Sequence, residues 1–155
     1  MEVCTINKYK KRTYSQLHKR AKFYFNKFIR LRDTDDNGYG TCISSGQSLR
    51  YGTENAQAGH YIAGTCRVLE FNEDNVNLQG KSDNYFKSGN QTAYRINLVK
   101  KIGAEKVADL EDMFLISKRN VSKNDRFLMI EIIEKYKVKV KQLSKNKVGN
   151  VFDVV

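Results

Sequence analysis

His60 and the asparagines that follow it are the residues of this chain best suited to carry out a reaction. Asn75, Asn77 and Asn84 come soon after the histidine. An imidazole whose pKa lies near ~6.5 can remove a proton from water, and amide and carboxylate oxygens bind hard cations such as Mg²⁺. A hard cation stabilises the oxygen that leaves when a phosphodiester is cleaved. These residue types therefore suit metal-assisted hydrolysis of a phosphodiester, if the fold brings them into one cleft.

The elements that must position these residues are a hairpin and a short helix. Two apolar runs, 61–62 and 68–71, flank Gly64 and predict a small β-hairpin. The polar stretch that follows predicts a turn at 72–79 and a short helix near 82–88. A hairpin, a loop and a helix that direct a histidine and asparagines into one cleft constitute a ββα-metal nuclease centre.

A basic amphipathic helix is predicted near the N-terminus. Apolar residues recur at alternating spacings of three and four from Tyr14 to Leu31, which is typical of a helix that packs one face on a core. Thr13 and Gln16 suit a capping box at its start. Residues 1–32 contain ten Lys and Arg residues and a single acidic one. We therefore expect the outer face to contact phosphates, with a merely solubilising surface as the alternative.

The segment from Gln91 onward predicts further helices. Gly103 separates two of them, and a third follows Asp125. In residues 136–141, apolar residues and lysines alternate with a period of two. We favour a helix there, and a strand is the alternative. The predicted fold class is α+β: mainly helical, with a central ββα-metal hairpin–helix motif, a basic N-terminal helix and C-terminal helices.

Three segments are predicted along the chain: a basic tail at 1–12, a helix plus nuclease core at 13–116, and a C-terminal helical extension at 117–155. The long C-terminal helix is a candidate homodimer interface, and packing within the monomer is the alternative. Its apolar positions are Phe127, Ile130, Ile133 and Tyr136.

Charge and composition narrow the partners and the compartment. The 155 residues carry a formal net charge of +11, which favours a polyanionic partner. The three cysteines do not form a disulfide framework, and no apolar run approaches the ~20 residues that span a membrane. No secretory signal is visible at the N-terminus. We therefore expect a cytoplasmic protein with no membrane association. The candidate phosphate-binding residues are Lys22, Lys27, Arg30, Arg32, Arg67 and Lys81.

Several short segments together resemble one protein family, the phage NinG (Rap) recombination proteins. The resemblance covers about residues 20–112, in the same order and at similar spacing. The family belongs with the HNH nucleases and is linked to the cleavage of branched DNA such as four-way junctions. The segments that carry it are 28–33, 42–46, 58–61, 71–77, Asn84, 88–90 and 94–95.

The resemblance implies roles for individual residues. His60 matches the presumed general base, Asn75 the middle asparagine that supports it, and Asn84 a catalytic metal ligand, with Asp83 as a second candidate ligand. It further implies Mg²⁺ or Mn²⁺ as cofactor, branched or four-way-junction DNA as partner, and a phage-encoded protein acting in the cytoplasm of a bacterial host. The chain is thus expected to be an Mg²⁺-dependent, structure-selective DNA endonuclease.

The chain departs from the family pattern at the positions of a zinc knuckle. Two CxxC pairs usually hold a structural zinc, but here the first pair is Cys42 and Ser45 and the second is Gly80 and Asp83. A tetrahedral four-cysteine site cannot be built from one thiolate. We therefore predict no structural zinc and expect packing and hydrogen bonds to hold this region.

Two other departures affect the expected metal ligands. The family tends to have a histidine where this chain has Asn77, and an acidic residue near Gln57. These changes leave an alternative function open, namely a catalytically degenerate HNH scaffold that binds branched DNA as a recombination accessory protein. A basic RNA-binding protein is a third possibility, but no RRM or KH signature supports it.

Overall fold

The computed structural model describes residues 3–63, 65–117 and 125–147. Mixed helices and two small antiparallel sheets agree with the α+β class. The helices are α1 (Val3–Lys8), α2 (Tyr14–Arg32), α3 (Gln91–Ile102), α4 (Ala104–Ser117) and α5 (Arg126–Asn146). The strands are β1 (Tyr39–Thr41), β2 (Ser48–Arg50), β3 (Ala56–His60) and β4 (Val76–Gly80), and a π-helical turn (Ser82–Phe86) follows β4.

The basic N-terminal helix begins as predicted. The Thr13 hydroxyl accepts a hydrogen bond from the Gln16 backbone N–H, and the Gln16 side chain accepts one from the Thr13 N–H, which completes the capping box. The buried face is wider than the predicted stripe, because Phe25 and Ile29 are also fully packed. A buried face of this width indicates that more than one element packs on α2.

Helix α5 is one of the elements that cover α2. Its buried side chains join those of α2 in one hydrophobic cluster, and residues 136–141 are helical within it. Tyr136 packs against Phe25 and Phe28 with ring centroids 4.9 and 5.1 Å apart. The apolar face of α5 proposed for a homodimer is therefore largely used inside the monomer. The buried residues of α5 are Met129, Ile130, Ile132, Ile133, Tyr136 and Val140.

Residues from all three predicted segments pack in one hydrophobic cluster, and the division of the chain into 1–12, 13–116 and 117–155 stays a prediction. Tyr9, in the predicted tail, is 2% exposed and lies in the same cluster as α2 and α5. The C-terminal residues beyond 147 and the stretch 118–124 lie outside the described residues.

The central hairpin consists of different strands from those predicted. Strands β3 and β4 pair antiparallel, with Gln57 opposite Gln79 and His60 opposite Val76. The runs at 61–62 and 68–71 lie in the long loop between the strands, so the predicted hairpin there was wrong. The predicted turn at 72–79 was also wrong at its end, since β4 begins at Val76. The apolar side chains of the loop, such as Leu69, fill a cluster with α3 and α4 instead of forming strands.

Helices α3 and α4 confirm the prediction that Gly103 separates them. Gly103 has a φ of +91°, a conformation that favours glycine. Tyr94, Leu98, Val107 and Leu110 from the two helices pack together with Leu69 of the hairpin loop. None of the helices within the described ranges is both long and apolar enough to cross a membrane.

Candidate functional site

His60 is the last residue of β3, and its ring is half-buried at the end of the hairpin. Its Nε2 lies 3.0 Å from the backbone oxygen of Glu70. Because a carbonyl oxygen can only accept, Nε2 carries the proton of the neutral ring and the lone pair remains at Nδ1. Burial lowers the pKa of His60 below 6.5, and the charge of Lys22 lowers it further against the opposing effect of the Glu70 carbonyl. His60 is therefore neutral at pH 7 and offers Nδ1 as a base.

Glu70, whose carbonyl orients His60, is itself held by α2. Its carboxylate is 6% exposed, with Oε2 2.8 Å from His18 Nε2 and Oε1 3.5 Å from Lys22 Nζ. The sequence interpretation gave His18 no role and did not link Glu70 to His60. The spacing of His18 and Lys22, four residues apart on a helix, was the pattern that could have indicated a shared partner.

Asn75 supports His60 indirectly, by closing the loop that contains Glu70. Its fully buried side chain accepts a hydrogen bond from the Ile62 N–H at 2.8 Å and donates to the carbonyls of Ile62 and Leu69, both at 3.0 Å. Among the described residues, no hydrogen bond joins the side chains of Asn75 and His60. Asn75 thus holds the loop in which the Glu70 carbonyl is placed, while that carbonyl selects the tautomer of His60.

Asn84 lies on the π-helical turn and contacts strand β3. Its Nδ2 donates to Gln57 Oε1 at 2.8 Å. Side chains three residues apart leave a strand on opposite faces, so Gln57 and His60 project to opposite sides of the hairpin. The structure brings Asn84 beside Gln57 and leaves His60 on the other face.

The Arg32 guanidinium, a predicted phosphate-binding group, is hydrogen-bonded within the protein. Nε and Nη2 bind the Asp33 carboxylate at 2.8 and 2.9 Å, and Nη1 donates to the Glu73 carbonyl at 2.7 Å. Nη2 also donates to the Val76 carbonyl and to Asn77 Oδ1. These hydrogen bonds attach the end of α2 to β4, and the phosphate-binding role of Arg32 stays a prediction.

Asn77 is a scaffold residue in the same network. It is 1% exposed, and its Oδ1 accepts from Lys101 Nζ at 2.6 Å while its Nδ2 donates to the Tyr94 hydroxyl at 3.2 Å. Tyr94 in turn donates to the carbonyl of Gly59 at 2.9 Å. Gly59 has no room for a side chain, since a Cβ there would lie 1.9 Å from the Gln79 amide oxygen. These contacts fix the backbone immediately before His60.

The other predicted phosphate-binding residues keep their side chains at or near the surface. Lys22 pairs with Glu70, and Lys81 pairs with the exposed Glu54 at 3.0 Å. The exposed pair of Lys81 with Glu54 is weak and can exchange for a phosphate, whereas the partner of Lys22 is buried. The phosphate-binding role of these residues stays a prediction. They are Lys22, Lys27, Arg30, Arg67 and Lys81.

Comparison with known proteins identifies the family. The family model described as Bacteriophage Lambda NinG protein matches residues 3–146. The chain belongs to the NinG family. The ninG proteins of Escherichia phage lambda and Enterobacteria phage H19B are each 38% identical to it over 94 residues, and that of Salmonella phage P22 is 36% identical over 94 residues.

The similarity to these NinG proteins covers only part of them. The aligned segment is 60% of this chain and 43% of the length of the phage lambda protein. No solved structure matches the chain significantly. What the full-length relatives do is therefore carried to this chain only as a proposal.

The four positions at which the sequence analysis expected a family zinc knuckle come together in the structure. Cys42 Sγ accepts hydrogen bonds from the backbone N–H groups of Ser45 at 3.4 Å and Gly80 at 3.2 Å, and lies 3.5 Å from Asp83 Oδ2. The Asp83 carboxylate also accepts from Asn90 and from the Ser45 hydroxyl. We name this group, Cys42, Ser45, Gly80 and Asp83, the knuckle cluster.

The chemistry of the knuckle cluster is that of a buried anion held by hydrogen bonds. Burial alone raises the pKa of Asp83, but hydrogen bonds from Asn90, Ser45, Lys87 and Cys42 lower it below its ordinary value. Asp83 is thus ionised at neutral pH and directed into the cluster. Its predicted role as a catalytic metal ligand stays a prediction.

We expect the purified protein to contain well under one zinc per chain, because an aspartate-centred hydrogen-bond cluster occupies the knuckle positions. Elemental analysis of the protein, dialysed without chelator, measures this directly. The melting temperature is expected to be the same with and without EDTA. Stoichiometric zinc, or a marked loss of thermal stability in EDTA, would contradict the prediction.

The side chains around the candidate site fit only a water-rich metal site. The described residues contain no cluster of three or more His, Cys, Asp or Glu side chains suited to a metal ion. The acidic residues of the hairpin loop, Glu70, Glu73 and Asp74, each pair with lysines. Asn84 Oδ1 receives no hydrogen bond from a described residue. Mg²⁺ bound to a protein keeps several water ligands and also binds phosphates of the substrate. Asn84 therefore suits a site in which water and DNA phosphates supply the remaining ligands.

Proposed function

We propose that this NinG-family chain is a metal-dependent, structure-selective endonuclease that acts on branched DNA such as four-way junctions in phage recombination. One observation carries the proposal: the hydrogen bond of His60 Nε2 to the Glu70 carbonyl, with a lowered pKa. A neutral imidazole with a free Nδ1 is the form that a general base requires. The net charge of +11 provides attraction to DNA.

In this mechanism each residue of the candidate site has a separate role. His60 accepts a proton from the attacking water at Nδ1, and the Glu70 carbonyl keeps the ring in position. Asn75 holds the loop that contains Glu70, and the basic face of α2 holds phosphates. Asn84 would hold Mg²⁺ or Mn²⁺, a cation that stabilises charge on a bound phosphate. Because Asn84 and His60 lie on opposite faces of the hairpin, the two would act on one phosphate only where the DNA passes the edge of the hairpin.

A specific observation favours a second candidate function. Asn84 and Gln57 form a neutral amide pair, with no carboxylate in it, and His60 lies on the opposite face of the hairpin. A neutral pair binds a divalent cation less strongly than a carboxylate does. The alternative is therefore an HNH-like scaffold that binds branched DNA as a recombination accessory protein without cutting it.

The deciding experiment compares a labelled four-way junction with a matched linear duplex, each with the full chain in Mg²⁺, Mn²⁺ or EDTA. The endonuclease predicts metal-dependent nicking of the junction and little cleavage of the duplex. Tight junction binding without cleavage in either metal would support the accessory protein. A Gln57→Glu variant adds a carboxylate beside Asn84, and we expect it to lower the metal concentration needed for cleavage.

A further inference from the structure

Two adjacent aromatic side chains project from the π-helical turn directly after Asn84. Tyr85 and Phe86 are 76% and 77% exposed, more than any other exposed large hydrophobic residue in the described ranges. Their ring centroids lie 5.8 Å apart with an angle of 68° between the planes. The monomer buries neither ring, and exposed apolar surface of this kind marks binding sites.

The backbone that holds the pair is fixed from both sides. Before it, Asn84 is hydrogen-bonded to β3 and Asp83 is buried in the knuckle cluster. After it, the Lys87 N–H donates to the Ser82 carbonyl at 3.2 Å and closes the turn. Asn90, whose side chain donates to Asp83, has a φ of +47°. The rings are therefore displayed on a pre-formed backbone, which reduces the entropy lost on binding.

The charges around the pair favour a nucleic acid as its partner. Lys81 and Lys87 bracket the turn, with side chains 44% and 58% exposed. Asp83, the acidic group of the turn, is buried and pairs with Lys87, and Lys81 pairs with the exposed Glu54. Both lysines would exchange these partners for phosphates when DNA binds. Aromatic rings beside lysines are the combination that stacks on bases and tracks phosphates. An apolar protein partner would not use the lysines.

We propose that Tyr85 and Phe86 form a stacking platform for unpaired DNA bases at a branch point. The proposal rests on branched DNA as the partner in the proposed function, and it needs no cleavage. Bases inside a duplex are stacked on each other, so their faces are accessible only where pairing or stacking is interrupted. The platform would thus give the chain a preference for branched over continuous DNA, whatever the base sequence.

The test measures binding of the full chain in EDTA, so that cleavage plays no part. The probes are a four-way junction, a duplex with a short unpaired bubble, and a matched fully paired duplex. For the Tyr85→Ala/Phe86→Ala double variant, we expect the Kd for bubble and junction to rise about tenfold, with the Kd for the paired duplex unchanged. The Tyr85→Phe/Phe86→Tyr variant keeps both rings and should bind like the wild type.

Photocrosslinking locates the contact independently of affinity. A bubble that contains 5-iodouracil is irradiated with the wild-type chain and digested with trypsin. Cleavage after Lys81 and Lys87 releases residues 82–87 as one peptide, and we expect the crosslinked nucleotide on it. Phe127→Ala is the matched control, because Phe127 is an exposed aromatic residue on α5 and its loss should leave binding unchanged.

Several results would overturn the platform. One is equal binding of all three probes by the wild type and the double alanine variant; another is an equal loss on paired duplex and bubble. A crosslink confined to other peptides would show that the DNA bases contact another part of the chain. A wild-type dimer that the double variant converts to monomer would show that the rings form a protein–protein interface instead. A chain that binds the bubble through the pair but never cuts DNA would keep the platform and refute the nuclease.

Discussion

Replacing His60 with alanine is expected to lower the rate of junction cleavage by about 100- to 10,000-fold, the range attributed to a general base. In the proposed mechanism the imidazole takes the proton of water, because the Glu70 carbonyl leaves its Nδ1 unprotonated. Junction affinity in EDTA should change little, since the proposed phosphate contacts belong to lysines and arginines. Single-turnover cleavage and equilibrium binding of the same junction measure the two effects.

The control for this variant is Val68→Ala, in the same loop as Glu70, with a side chain 49% exposed. It should cut like the wild type. The pH profile supplies a second readout: since burial lowers the pKa of His60 in the free protein, the acidic limb of kcat/KM should lie below pH 6.5. Lys22→Ala removes a charge that lowers this pKa, so the limb should move to higher pH. Cleavage by His60→Ala at the wild-type rate would refute the assignment of the base.

Replacing Asp33 with alanine is expected to reduce the free energy of unfolding by about 3 kcal/mol, because it leaves the mostly buried Arg32 without its counter-ion. The Asp33 carboxylate binds Arg32 through two nitrogens, accepts from the Leu78 N–H at 2.9 Å and pairs with Lys101 at 2.9 Å. It thus joins α2, β4 and α3 behind His60. Urea denaturation at neutral pH measures the loss, and Asp36→Ala, an exposed acid nearby, should have little effect.

The contribution of Asp33 should disappear in acid. Burial raises its pKa, but Arg32 and Lys101 together lower it below the ordinary 3.8. A carboxylate with a lowered pKa in the folded state stabilises the fold above the unfolded-state value and loses that effect as pH falls through the folded-state value. The difference between wild type and Asp33→Ala should therefore be constant from pH 7 to about pH 4 and shrink below it. A difference that persists at pH 2 would contradict this account.

Much of the helical structure could be predicted from local sequence. The capping box at Thr13 and Gln16 and the break at Gly103 depend on neighbouring residues only, and both were confirmed. The hairpin was placed wrongly because Asn77 and Gln79 of β4 are polar yet buried, with partners from distant segments. Polar residues that are satisfied by tertiary contacts have no period in sequence by which a strand can be recognised.

In the candidate site, too, residue types could be identified from the sequence, whereas contacts between distant segments could not. His60, Asn75 and Asn84 were identified from residue type and family resemblance, and each lies on the central hairpin, its loop or the turn that follows. Glu70 was missed in its main role because it acts through a backbone carbonyl, which any residue type possesses. The contact between Glu70 and His18 joins positions 52 residues apart, and spacing of that kind leaves no local pattern.

The sequence by itself determined the family, the helical framework, the strongly basic charge and the identity of the histidine suited to act as a base. Only the tertiary structure decided which charges are available. Arg32 was predicted to bind phosphates together with other basic residues of α2, and the structure shows its donors bound by the loop before β4 and by the adjacent Asp33. Asp83 was predicted to be a metal ligand, and the structure shows its carboxylate within the knuckle cluster. The physical reason is that a charged side chain is committed by the partners that folding brings within hydrogen-bond distance, and those partners are distant in the sequence.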